Sequence, residues 1–208
     1  SRGQFSTALD EIKLALAAKP DMGAAYNMRG LVYAPMGADL LAEESFERAM
    51  SLNPRDADAM HNRAWFKCQR GQYDDADRLF EQAIATPQYR DLARSLMAQG
   101  ICYARAGRMV PAEQKLLRAY EVDPTNPTTA YNLADVLYRR SELERARFYI
   151  RRVNDNEEWS NAQTLWLAAR IENKAGNRNA VEAFGRQLRA RFPQSPQAQA
   201  YDSGRFND

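Results

Sequence analysis

Residues 22–54 read MGAAYNMRGLVYAPMGADLLAEESFERAMSLNP and contain two short helical patterns separated by a glycine. The first pattern places on one helix face, at the spacing i, i+4, i+7, the residues Tyr26, Gly30 and Tyr33. The second pattern gives its helix an inward face made of Ala42, Phe46 and Ala49. Gly37 marks the turn between them, and Pro54 prevents the second helix from continuing. The stretch therefore predicts a pair of antiparallel helices.

The same arrangement recurs along the whole chain at a nearly constant interval. A glycine, or once a serine, recurs at Gly3, Gly37, Gly71, Gly107, Ser141 and Gly176. Five residues after the first five of these come Ala8, Ala42, Ala76, Ala112 and Ala146. Four residues later come Ile12, Phe46, Phe80, Leu116 and Ile150. Three columns that keep the same spacings from one repeat to the next indicate a helical repeat array.

The predicted fold is an all-α, right-handed superhelix of about six helix pairs, forming one array over residues 1–208. The pairs are expected at approximately 1–20, 21–54, 55–88, 89–124, 125–156 and 157–193. The first of them contains only its second helix, which predicts that the chain is a fragment of a longer protein. Ser195 followed by Pro196 is a typical helix start, so a closing helix is expected over residues 195–204.

Composition argues against several functional classes. The net charge of +2 is too small for a nucleic-acid-binding surface, and no apolar run is long enough to span a membrane. No glycine-rich phosphate loop, nucleophile elbow or paired-carboxylate pattern is present, so no enzymatic activity and no cofactor are predicted. His61 and Cys68 could share one side of a helix, but zinc needs three or four ligands, so no metal site is predicted.

The repeat resembles the tetratricopeptide repeat, whose pattern W-x2-L-G-x2-Y followed by A, F and P matches residues 22–124. From about residue 55 onward, the chain is also similar to the PilW/PilF family of type IV pilus biogenesis proteins. The strings that carry this resemblance are NRAWFKCQRGQY (62–73), MAQGICYARAGRMVPAE (97–113), NPTTAYNLADVLYRRSELERARFYI (126–150) and LRARFPQSPQ (188–197). The wider spacing between the turn glycines Gly71 and Gly107 is shared as well.

This resemblance implies an outer-membrane lipoprotein that faces the periplasm, with its lipidated cysteine upstream of Ser1. Its expected role is that of a pilotin-like scaffold, which supports assembly or stability of the secretin ring through which a pilus emerges. The alternative is a cytosolic adaptor built from the same repeats, or a repeat domain of a larger protein. A signal peptide with a lipidation site in the upstream sequence would favour the first interpretation.

Resemblance to the tetratricopeptide repeat also predicts a binding groove lined by one stripe of each first helix. The residues at the corresponding positions are His61, Trp65, Met97, Ile101, Tyr131, Asp135, Tyr138, Trp166 and Arg170. A stripe so rich in aromatic and apolar residues suits an extended peptide or a helix, here from the secretin or another pilus-assembly protein. Trp65 and Tyr131 are the expected anchors, because binding energy concentrates in aromatic residues. The alternative for Trp65 is that it only packs against its neighbours.

Cys68 and Cys102 lie one repeat apart, on the first helices of consecutive pairs. Such helices stack side by side, so the two sulfur atoms can meet although they are distant along the chain. The oxidising periplasm implied by the family resemblance would preserve a disulfide between them. Two buried free thiols, acting as small apolar side chains, are the alternative that the sequence leaves open.

Overall fold

The computed structural model describes residues 2–206, so residues 1, 207 and 208 of the predicted array lie outside this range. Within it are twelve α-helices and no β-strand, which confirms the predicted all-α class. The helices are α1 Arg2–Ala18, α2 Gly23–Tyr33, α3 Asp39–Leu52, α4 Ala57–Gln69, α5 Tyr73–Ala85, α6 Leu92–Arg105, α7 Met109–Val122, α8 Pro127–Arg139, α9 Leu143–Asn154, α10 Ala162–Lys174, α11 Arg178–Arg191 and α12 Pro196–Asp202. None of these described helices is long and apolar enough to cross a membrane.

The helices group into two compact units that divide between Ala106 and Gly107. In the first unit, α2 pairs with α3 and α4 pairs with α5, while the first helices α2, α4 and α6 contact one another in sequence order. In the second unit, α8 pairs with α9 and α10 pairs with α11. The short helix α12 packs against both α10 and α11. Ser195 caps α12 by accepting a hydrogen bond from the Ala198 amide, as its position before Pro196 predicts.

The core of each helix pair is built from the apolar columns seen in the sequence. Phe46 and Phe80 have no solvent-accessible surface, and neither have the alanines that flank them in the second helices. A Cβ atom on Gly30 would lie 2.6 Å from the ring of Phe46. The missing side chain at Gly30 is therefore what allows α2 and α3 to approach closely around the aromatic ring.

The turn within each pair requires a left-handed backbone at one position. Gly71, for example, has a φ angle of +75°. A residue with a Cβ atom pays a steric penalty in this region, which explains the recurrence of glycine at this point of the repeat. Ser141 adopts the same conformation, with φ of +64°, at the one position where the series departs from glycine.

We expect replacement of Gly71 by alanine to lower the free energy of unfolding by about 1 kcal/mol, because a Cβ atom is unfavourable at positive φ. Chemical denaturation monitored by circular dichroism measures the change. Gly3 is the matched control, since it lies inside α1 and a Cβ atom there would meet no other atom within 4 Å. Gly3→Ala should be neutral or slightly stabilising, and equal losses in both variants would contradict the argument.

Candidate functional site

His61, predicted to line the groove, instead lies in the interior of the first unit and is 4% exposed. Its Nδ1 atom is 2.8 Å from the hydroxyl oxygen of Ser95, which lies on the neighbouring first helix α6. The edge of its ring packs against Phe80, with ring centroids 5.7 Å apart. The assignment of His61 to a partner-binding surface is therefore wrong, because contact between neighbouring first helices encloses the side chain.

Burial changes the acid–base behaviour of His61. Removal of the imidazole from water disfavours its charged form and, with a smaller contribution from the nearby Arg94 cation, lowers its pKa to about 4. Ser95 also lies 3.0 Å from the hydroxyl group of Tyr89, so the imidazole is part of a short polar chain. At neutral pH the side chain is uncharged and has a structural role.

Trp65 is half-buried and packs against the cluster that contains Cys68, Cys102 and Phe80. The two cysteines form a disulfide that joins α4 to α6, with Cα atoms 5.8 Å apart. The guanidinium group of Arg105 lies over the indole ring of Trp65, 5.0 Å from its centroid. Cation–π attraction of this kind holds a partly exposed tryptophan in one orientation. Trp65 is therefore both a packing residue and a rigid, partly accessible aromatic surface.

Met97 and Ile101 lie on α6 and are also half-buried, so the first unit brings three stripe residues, Trp65, Met97 and Ile101, to the surface or close to it.

A polar network that the sequence patterns did not reveal lies between α5 and α6. The amide of Gln99 donates to Asp77 and Glu81 at 2.7 Å, and the Tyr103 hydroxyl donates to Asp77 at 2.6 Å. These bonds fix α6 against α5 and hold the stripe in place.

In the second unit, Tyr131 lies next to a tryptophan that sequence analysis did not select. Trp159, in the loop between α9 and α10, lines two clefts of about 320 Å³ each. Tyr131 lines one of these clefts and Tyr120 lines the other. Burial, followed by the negative charge of Asp135, raises the pKa of Tyr131. Trp159 lies outside the repeated columns, so the only signal in the sequence was an aromatic residue within a polar loop.

The two remaining stripe residues of α8 already have partners within the chain. Asp135 forms an ion pair with Arg139 at 2.9 Å. Tyr138 is buried, because Arg170 and Lys174 from α10 lie 4.9 and 5.0 Å from its ring centroid. Tyr138 therefore supports the two cations, and little of its own ring is accessible to a partner.

On α10, Trp166 and Arg170 both contact the C-terminal segment of the chain. The ring of Phe206 lies against Trp166 with centroids 5.1 Å apart, and the Arg170 Nε atom donates to the Phe206 carbonyl oxygen at 3.0 Å. Phe206 lies beyond the predicted closing helix, and no repeat pattern pointed to it. Phe206 thus occupies part of the predicted stripe, through its ring at Trp166 and its carbonyl oxygen at Arg170.

A buried ion pair joins the last two repeats on another face of the second unit. Arg147 on α9 makes two hydrogen bonds to Glu172 on α10, at 2.5 and 2.9 Å, and Glu172 is almost completely buried. These bonds, together with those to Glu144, raise the pKa of Arg147. Asn177 donates a further bond of 3.0 Å to Glu172. Such a pair fixes how the helices pack, and its charges are already satisfied.

Among the described residues, no group of three histidine, cysteine or acidic side chains is placed to hold a metal ion. The arrangement that the structure does provide is a set of half-buried aromatic and apolar side chains on the first helices, supported from behind by a disulfide and by ion pairs. Aromatic anchors on a rigid support are typical of protein-binding surfaces.

Comparison with known proteins agrees with the repeat pattern. Tetratricopeptide repeat models match residues 23–56, 45–78 and 68–127. The type IV pilus assembly protein PilF of Pseudomonas aeruginosa is 22% identical over 202 residues, which cover 97% of this chain and 80% of PilF. The two sequences are thus related along nearly the whole of the described fold.

Solved structures give the same relationship. The crystal structure of PilW, described as a widely conserved type IV pilus biogenesis factor, has a TM-score of 0.87 and 30% identity and covers 96% of this chain and 91% of PilW. The Pseudomonas aeruginosa PilF structure has a TM-score of 0.83 and 22% identity, over 98% and 91% of the two chains. YrrB, a protein with an unusual peptide-binding site, shares the fold at a TM-score of 0.72 and 14% identity, over 92% and 97%. The chain belongs to the PilW/PilF family of tetratricopeptide-repeat proteins.

Proposed function

We propose that the protein is a non-catalytic scaffold of type IV pilus biogenesis that binds the outer-membrane secretin through the first-helix stripe. The observation that carries this proposal is the 30% identity to PilW over 96% of the chain, joined to a helical-repeat fold. On this proposal the protein acts at the periplasmic face of the outer membrane, where a lipid anchor would hold it. It supports assembly or stability of the secretin ring and performs no chemistry on its partner.

The disulfide supports the proposed location. Cys68 and Cys102 are almost completely buried and bonded to each other. Such bonds persist in the oxidising periplasm but are rare in reducing compartments. The same feature weighs against a cytosolic adaptor, because the cytosol keeps thiols reduced.

In each unit, a residue of the stripe combines an aromatic ring with partial exposure. Trp65 in the first unit and Tyr131 in the second are half-buried aromatic side chains, each next to a charged group: Arg105 for the tryptophan and Asp135 for the tyrosine. Rigid aromatic side chains lose little conformational entropy on binding, so they are efficient anchors. We therefore place the main energetic contacts with the secretin at these two residues.

Trp65→Ala and Tyr131→Ala should each weaken binding to the purified secretin by about 30-fold, which corresponds to ~2 kcal/mol for the loss of an anchor. Surface plasmon resonance with the immobilised secretin measures the affinity. Circular dichroism and denaturation of each variant show whether the fold is retained.

Phe148→Ala is the matched control, because Phe148 is an aromatic residue that is 54% exposed on a second helix, outside the stripe. Its affinity should remain within twofold of that of the native chain. Native affinity in the folded Trp65→Ala and Tyr131→Ala variants would remove the stripe as the binding surface. Weaker binding in Phe148→Ala alone would move the site to the second helices.

A further inference from the structure

The chain that follows α12 returns to the stripe of the last repeat. Gly204, with φ of +67°, reverses the chain direction, and the Arg205 amide donates to the Ala200 carbonyl at 3.0 Å. Phe206 is thereby placed between two aromatic rings, 5.1 Å from Trp166 and 5.8 Å from Tyr201. The tail occupies a position on α10 that the sequence predicts to bind a partner.

The contacts that hold Phe206 are ones that another polypeptide could supply. They are ring contacts with Trp166 and Tyr201 and a main-chain carbonyl that accepts a hydrogen bond from Arg170 at 3.0 Å. Helix α12 is held separately, since Ala198 packs with Leu165 and Leu188 in a buried cluster. Release of Phe206 therefore leaves the attachment of α12 to the second unit in place.

Arg170 and Lys174, the two cations on this stretch of α10, donate their hydrogen bonds to neutral acceptors. Arg170 bonds to the Phe206 carbonyl, while Lys174 bonds to the Ser141 hydroxyl at 2.9 Å and the Tyr138 carbonyl at 3.4 Å. A carboxylate adds its own negative charge to such a bond and can accept two parallel N–H bonds from one guanidinium group, which a single carbonyl oxygen does not match. A ligand that brings a carboxylate to Arg170 would therefore gain an interaction that the Phe206 carbonyl does not provide.

We propose that Trp166, Arg170 and Lys174 bind an acidic, aromatic segment of a partner protein, and that Phe206 occupies this site as an internal, displaceable ligand. The partner's ring takes the place of Phe206 on Trp166, and its carboxylate takes the place of the carbonyl at Arg170. The inference rests on the proposed function, because Trp166 and Arg170 belong to the stripe through which the secretin is proposed to bind.

Displacement sets a requirement on the partner. Covalent attachment a few residues away keeps Phe206 near the site at an effective concentration of order millimolar or more, so a weak ligand competes poorly with it. A segment that offers only an aromatic ring, or only a carboxylate, makes part of the interaction and does not displace Phe206 from Trp166 and Arg170. The site thereby selects for segments that combine both groups.

The test is a titration of the isotope-labelled full chain with the peptide acetyl-Gly-Asp-Phe-Gly amide, followed by NMR at the Trp166 indole N–H. That signal is identified by its loss in Trp166→Phe. Two control peptides replace Asp by Asn or Phe by Ala. We expect Phe206→Ala to bind the Asp-Phe peptide at least tenfold more tightly than the native chain, the Asn peptide to bind several-fold more weakly, and the Ala peptide to leave the Trp166 signal unchanged.

Arg170→Gln should bind the Asp and Asn peptides equally, which assigns the charge preference to this residue. Unchanged affinity in Phe206→Ala, absence of any shift at Trp166, or equal binding of the Asp and Asn peptides by a chain that retains Arg170 would each overturn the proposal. Failure of the proposed function is a separate result: the native chain would not bind the secretin, while the peptide titration would still succeed.

Discussion

Replacement of both Cys68 and Cys102 by alanine should lower the free energy of unfolding by roughly 3–4 kcal/mol, the value that the chain-entropy model gives for a loop of this length. The bridge closes a sequence separation of 34 residues that contains the whole of α5. Without it, the unfolded chain gains conformational freedom while the folded state keeps two small apolar side chains in the same place. Urea denaturation with and without reductant measures the difference.

The double variant is its own control, since reductant should destabilise the native chain and leave the variant unaffected. Hydrogen exchange should show the largest loss of protection in α4 and α6, the two helices that the bridge joins. Mass spectrometry of unreduced, alkylated protein from the periplasm should find no alkylated cysteine. Two alkylated cysteines in that material would show that the bridge does not form in the cell.

Acid should destabilise the first unit through His61, by roughly 3 kcal/mol between pH 7 and pH 4. Burial lowers the pKa of His61 in the folded state to about 4, whereas the unfolded chain has the ordinary value of 6.5. Between these two values only the unfolded state binds the proton, so the stabilisation is complete above pH 6.5 and is lost as the pH falls toward 4. Each unit of difference in pKa corresponds to about 1.4 kcal/mol, which sets the size of the effect.

Denaturation at a series of pH values measures how the free energy of unfolding changes with pH. The variant His61→Gln removes the titrating group and keeps a hydrogen-bonding side chain next to Ser95. Carboxylates remain largely ionised above pH 5, so the difference between the two proteins from pH 6.5 to pH 5 isolates the imidazole. The variant should lose most of the pH dependence in this window. A slope that is identical in both proteins would show that His61 titrates normally in the fold.

The sequence contained enough information to predict the helix pairs, because close packing of α-helices requires particular side-chain sizes at fixed intervals. Gly30 and Phe46 illustrate this, since the ring of one fills the space left by the missing Cβ atom of the other. A requirement that recurs in every pair leaves columns that can be read from the sequence alone. The left-handed turn positions can also be read from the sequence, because the same backbone conformation recurs in each pair and favours glycine there.

The site was less predictable, because exposure depends on contacts between helices that are far apart in sequence. His61 was predicted to line the groove, but it meets Ser95 on the next first helix and is buried there, and Cys68 is buried in the same way against Cys102. Phe206 reaches Trp166 only because the chain reverses at Gly204, and a tail that folds back once produces no repeated pattern. Repetition predicts the scaffold, whereas single contacts determine which parts of it are accessible.

The covalent link between α4 and α6 also limits how far the molecule can be stretched. A chain pulled from its ends lengthens by about 3.3–3.6 Å for each residue that becomes extended. Residues enclosed by the bridge, which spans a sequence separation of 34, cannot contribute to this extension while the bond is intact. About 110 Å of contour length therefore stays hidden under tension. Under mechanical load, α5 and the loops on either side of it would bear no force until the disulfide is reduced.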